Sequence, residues 1–112
     1  MLNKIQLIGR IGDDPQHKVL TDGKELIEFS LATEERYKDL KDTEWHRIKI
    51  FGPLAQVMKK HGFKGQLLYL EGKVHYSSWE KDGIKYYATD IICNTVKILE
   101  WKAEEPKVNP WP

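Results

Sequence analysis

Apolar and polar residues alternate through residues 4–11, Lys-Ile-Gln-Leu-Ile-Gly-Arg-Ile, except near the end. A period of two predicts a half-buried strand. Gly9 inside it predicts a bend or bulge of the kind a small closed barrel needs. Gly12-Asp13-Asp14-Pro15 reads as a turn, and a second strand is expected from about Gln16. Asp22-Gly23 is a hairpin signal. Residues 26–33 alternate again, with Ile27, Phe29 and Leu31 on one face. The charged stretch from Glu34 to Glu44 reads as a loop, and Trp45–Phe51 as a further strand. Residues 53–61 predict a short helix. Pro53 suits its first turn, Leu54, Val57, Met58 and His61 form a stripe at helical spacing, and Gly62 suits its C-terminal cap. Residues 66–79 predict a long strand, Lys81-Asp82-Gly83 a turn, and residues 84–99 the last strand.

Strands, one short helix, then more strands is the order expected of an all-β, five-stranded Greek-key OB-fold barrel. The helix is expected between the third and fourth barrel strands, plugging one end. The pattern stops at Trp101. We therefore expect one domain over residues 1–102 and a short flexible tail over 103–112, which holds three prolines. A chain of 112 residues suits one compact domain, which oligomerisation would help to bury more surface. No apolar run is long enough to span a bilayer. The N-terminus enters the strand pattern at once, leaving no room for a secretory signal or transit peptide, although a processed precursor would look the same. The single cysteine, Cys93, lies in an apolar stretch and reads as a buried structural thiol. One thiol makes neither an intrachain disulfide nor a zinc site.

The net charge of +1 is no footprint of a nucleic-acid partner. Its distribution changes the picture. From Trp45 to Leu70 there is no Asp or Glu, while the same window holds Arg47, Lys49, Lys59, Lys60 and Lys64. Such segregation builds a local positive surface on a near-neutral protein, or simply a solvated face. The segment Trp45-His46-Arg47-Ile48-Lys49-Ile50-Phe51 decides between them. Successive side chains of a strand point to opposite faces. Trp45, Arg47, Lys49 and Phe51 therefore share one face, and His46, Ile48 and Ile50 the other. The first row makes a poor core, because two charges would be buried. Facing outward, it exposes two large rings with no solubility purpose. Single-stranded nucleic acid resolves the conflict, since bases stack on rings while phosphates meet cations. Tyr37, between Arg36 and Lys38, and Trp79, beside the Lys81 turn, fit the same surface, with core packing as the competing reading for both. Tyr76, Tyr86 and Tyr87 read as structural, and Tyr69 as facing a core or a subunit contact.

Catalysis finds no support. The four histidines lack metal-ligand spacing, and there is no P-loop, G-x-G-x-x-G or G-x-S-x-G motif. The acids of Asp13-Asp14 and Glu34-Glu35 diverge as strand neighbours. We expect no catalytic residue, metal or cofactor.

At these residues the chain resembles the bacterial and mitochondrial-type single-stranded DNA-binding protein family. Asn3-Lys4-Ile5 and Leu7-Ile8-Gly9-Arg10-Ile11-Gly12 with Asp14-Pro15 resemble its first strand and turn. Phe29-Ser30-Leu31-Ala32-Thr33 follows. Thr43-Glu44-Trp45-His46-Arg47 with Phe51-Gly52 and Leu54-Ala55 is the most specific element, and Lys64-Gly65, Tyr69-Leu70-Glu71-Gly72 and Trp79 continue the match. The resemblance spans about residues 3–99. It implies an OB fold, usually a homotetramer, with DNA wrapped over its surface in replication, recombination and repair. It implies base stacking at Tyr37, Trp45, Phe51 and Trp79, and phosphate contacts at Lys4, Arg10, Arg47 and Lys64, to which the strand reading adds Lys49. It places His46 at a subunit interface, and we expect Tyr69 there too. The implied location is cytoplasmic and nucleoid-associated, or the mitochondrial matrix for a processed form.

The chain also departs from the family. Pro53 replaces a common Lys, His75 and Ser77 stand where bacterial members often carry Arg, and Tyr37 stands where Trp is usual. Each change predicts weaker binding. The C-terminal residues Asn109-Pro110-Trp111-Pro112 do not match the acidic tip that recruits replication and repair proteins. Two rival readings follow: a primosomal-type OB-fold adaptor acting through protein contacts, against which the exposed rings argue, and an OB-fold nuclease, for which no acidic cluster speaks.

Overall fold

The computed structural model describes residues 1–101, so the expected domain boundary at 102 and the tail over 103–112 lie outside the described residues. The elements are β1 (Ile5–Ile11), β2 (Gln16–Val19), β3 (Glu25–Tyr37), β4 (Leu40–Phe51), α1 (Pro53–His61), β5 (Leu67–Lys81) and β6 (Ile84–Ile98). β1 pairs antiparallel with β5 at one edge and with β3 at the other. β5 pairs with β6, β6 runs parallel to β4, and β4 pairs with β3. The circuit β1-β5-β6-β4-β3-β1 is therefore a closed five-stranded barrel, and β2 adds a short flap to β3. Counted along the barrel, α1 falls between the third and fourth strands, as expected.

Alternation explains the closure. Ile27, Phe29 and Leu31 of β3, Ile48 and Ile50 of β4, and Leu68 and Leu70 of β5 are all buried. Each such side chain is worth roughly 1.5–3 kcal/mol of burial free energy. Gly9 sits where β1 passes from one partner to the other. A Cβ there would stand 2.3 Å from the carbonyl oxygen of Ala32, so only glycine lets β3 approach.

Two sequence expectations need correction. The stretch from Glu34 to Glu44 is not a loop. β3 and β4 stay in unbroken register from Leu26 opposite Phe51 to Tyr37 opposite Leu40, closed by Lys38 and Asp39 alone. Its polar residues on both sides hid the alternation because both sides of this arm face water. The buried residues of α1 are Ala55 and Met58, whereas Val57 is exposed. A small alanine fits the close approach of the helix to the barrel end.

Candidate nucleic-acid interface

The parity of β4 is set by Ile48 and Ile50, whose side chains fill the barrel. A one-residue slip would exchange them for Arg47 and Lys49. Trp45, Arg47, Lys49 and Phe51 are therefore driven outward together. Trp45 is 62 % exposed and Phe51 39 %. Ala32 and Ser30 are the cross-strand neighbours of Trp45 and Arg47, so no bulky group directly opposite on β3 covers these two, while Lys49 and Phe51 stand opposite Glu28 and Leu26. The indole rests its six-membered edge on Gly12, where a Cβ would meet Trp45 Cζ3 at 2.2 Å. The Gly12 amide is itself fixed, donating to the Ser30 carbonyl at 2.7 Å.

The second group of rings stands on the β5–β6 arm. Trp79 pairs in register with Tyr86 across the Asp82-Gly83 turn. The two rings stack at 5.8 Å between centroids and 17° between planes, with Trp79 49 % exposed. Tyr86 shares the parity of Asp90 along β6, and the carboxylate of Asp90 reaches both Arg47 and Lys49. The stacked pair and the β4 row therefore occupy one side of the sheet. Sequence reasoning missed Tyr86, although a two-residue turn at Asp82-Gly83 already dictates its pairing with Trp79. Tyr76 and Tyr87 are exposed rather than structural, and leave the arm on its opposite face. Lys85 Nζ lies 5.5 Å from the Tyr87 ring centroid.

The remaining expected residues are dispersed. Tyr37 is exposed at the tip of the β3–β4 arm, with Lys38 Nζ 5.5 Å from its ring centroid. By register it falls on the His46 side of that arm, not the Trp45 side. Lys4 and Arg10 belong to the outer face of the β1 end, where Lys4 pairs with Glu71 at 3.1 Å and Arg10 with Glu100 at 3.1 Å. Lys64 is exposed in the connection between α1 and β5. His46 is half-buried, its Nε2 within 2.9 Å of Thr33 Oγ1. Tyr69 is half-buried beside the exposed Ile8, its hydroxyl accepting from Gln6 Nε2 at 3.0 Å. Cys93 is buried, and burial pushes its thiol pKa up to about 11, against weaker lowering by hydrogen bonds to the Thr95 and Glu71 backbone.

A closed five-stranded barrel with one helix between its third and fourth strands defines an OB-fold protein, here with rings and cations on one outward strand face. The sequence profile of the Single-strand binding protein family matches residues 2–99, and the chain belongs to that family. It is 40 % identical over 105 residues to single-stranded DNA-binding protein 1 of Chlorobaculum tepidum, covering 88 % of this chain and 65 % of that one. It is 37 % identical over 116 residues to the single-stranded DNA-binding protein of Neisseria meningitidis serogroup B, covering 98 % of this chain and 67 % of the relative. The chain thus spans about two thirds of these relatives' length, and slightly less for the first. Among solved structures, the Plasmodium falciparum SSB complex with ssDNA superposes with a TM-score of 0.83 at 33 % identity, covering 89 % of this chain and 96 % of that one. A deletion mutant of the Thermus aquaticus single-stranded DNA binding protein gives 0.75 at 28 % identity, covering 88 % and 51 %. No helix among the described residues is long and apolar enough to cross a membrane.

Proposed function

We propose that this chain binds single-stranded DNA without sequence preference, and shields it during replication, recombination and repair. The observation that carries the reading is the shared outward face of Trp45, Arg47, Lys49 and Phe51, extended by the Trp79–Tyr86 stack. Bases stack on the rings whatever their identity, because every base has a π-face, and Arg47 and Lys49 meet the phosphates. Duplex DNA hides those base faces. Binding is passive, with no bond made or broken. Lys4, Arg10 and Lys64 serve as outlying phosphate contacts for a strand that continues around the barrel, and Tyr37 engages one that crosses the arm tip. The names of the relatives and the DNA in the Plasmodium complex support the same ligand.

The working unit is a homo-oligomer, a tetramer by family resemblance, with His46 and Tyr69 at subunit contacts. The location is cytoplasmic. The test is titration of labelled oligo(dT) against wild type and Trp45→Ala. A stacked base is worth about 1–3 kcal/mol, so the variant should bind between about fivefold and a hundredfold more weakly with its melting temperature retained. Unchanged affinity would remove the stacking assignment.

A further inference from the structure

Among the described residues, Asp90 is the only charged side chain that is buried, at 3 % exposure. It belongs to the outer face of β6, in register with the exposed His75, and not to the barrel core. One of its oxygens, Oδ1, stands 3.6 Å from Arg47 Nε, and the other, Oδ2, 3.4 Å from Lys49 Nζ. Both central cations of the platform thus share one carboxylate beneath them. Glu28 stands behind Lys49 at 4.0 Å while holding Lys18 at 3.0 Å.

Two features distinguish this cluster from an incidental ion pair. The separations exceed the roughly 2.7–2.9 Å of a tight charge-assisted hydrogen bond, so the cations keep donors for a second anion. The Arg47 side chain also remains 64 % exposed, so that anion can arrive from the solvent side. Asp90 itself cannot swing away, because a buried carboxylate stripped of its cations is strongly disfavoured. With Glu28 largely neutralised by Lys18, an incoming phosphate meets Arg47, Lys49 and the fixed Asp90, a net charge of +1 where the two cations alone would offer +2.

We infer that Asp90 is the affinity-setting residue of the platform: a resident anion that holds Arg47 and Lys49 in place and halves the charge they present to DNA. The inference rests on the proposed single-strand binding. Its test is the salt dependence of oligo(dT) binding by the full chain, wild type against Asp90→Asn. One unmasked charge should steepen the slope of log K against log salt by about 0.7. Binding should tighten on the order of tenfold near 0.05 M salt, with the gain shrinking about fivefold over a tenfold rise in salt. A carboxylate serving only the fold would leave the slope unchanged, and one needed mainly to orient the cations would give weaker binding on removal. Either result overturns the inference. Should Asp90→Asn fail to fold, Glu28→Gln relieves Lys49 of its second anion and must shift affinity and slope in the same directions. No shift there overturns it too. Wild-type protein that does not bind oligo(dT) at all sinks the functional reading itself, and this inference with it.

Discussion

Replacing Gly12 with alanine tests the placement of the indole without touching any group proposed to meet DNA. A Cβ at Gly12 would lie 2.2 Å from Trp45 Cζ3, 3.1 Å from Cε3 and 3.2 Å from Cη2. Carbon atoms rest at about 3.5–4.0 Å, so the ring edge must retreat by roughly 1.3–1.8 Å. Gly12 is not among the positive-φ glycines, so alanine brings no backbone strain of its own. Its amide bond to Ser30 is unaffected by a side chain. The three nearest atoms to the methyl all belong to Trp45, so it acts chiefly through that ring. Turning the ring off its rotamer costs about 0.5–1.5 kcal/mol, and losing its stacked geometry costs up to about 1–3 kcal/mol of binding. Affinity for labelled oligo(dT), followed by fluorescence anisotropy, should fall between about fivefold and a hundredfold. The loss should not exceed that of Trp45→Ala. In a double-mutant cycle, Gly12→Ala added to Trp45→Ala should cost nothing further. Wild-type affinity in Gly12→Ala, or a loss that persists once the indole is gone, would refute a platform built on this contact.

Two further predictions separate the faces and the interior of the molecule. The double variant Tyr76→Ala/Tyr87→Ala removes rings from the far face of the β5–β6 arm and should leave binding of a short oligo(dT) within about twofold, whereas Tyr86→Ala should weaken it about fivefold or more, read by the same anisotropy titration. Equal losses would mean that the arm does not present one working face. The Cys93 thiol is raised from 9.0 to about 11 by burial. Below pH 9 both folded and unfolded chains keep the proton. Between pH 9 and about 11 only the unfolded chain ionises, so this group's contribution to stability falls as pH rises through that window. Native protein at pH 8 should react with a thiol reagent far more slowly than denatured protein, and equal rates would contradict the burial.

The fold was legible wherever one side of a strand is dry. Ile27, Phe29 and Leu31 alternate with polar neighbours because a slip of one residue would bury the wrong set. The same reasoning located the Trp45 row from seven residues. It failed where both sides are wet. In Thr33–Tyr37 and Leu40–Glu44 no row has a core to face, so the arm carries no alternation to read. The position of Tyr37 suffered from the same blindness, since its side of the arm depends on counting through that stretch. Tyr86 was missed for another reason: its role comes from a partner across the turn, and single-strand patterning says nothing about pairs. The acid beneath Arg47 and Lys49 was out of reach as well, because it enters through the parallel contact of β4 with β6, which are far apart along the chain.

On β4 the residues that hold the fold and those proposed to hold DNA alternate, so the two sets occupy opposite faces of one strand. Truncating Ile48 or Ile50 would cost the roughly 2–5 kcal/mol of a core cavity. Truncating the outward Trp45 leaves the barrel core intact. Asp90 is where the separation breaks down. It is buried, so folding requires a cation beside it; it lies on the outer face, so the cations that satisfy it are those of the platform. Arg47 and Lys49 are thereby held near one geometry before any strand arrives, which reduces the side-chain entropy lost on binding. The same carboxylate opposes the phosphate proposed to meet them. A surface proposed to hold DNA reversibly is served by such an arrangement, because orientation and weakened attraction come from one group and neither can be altered without the other.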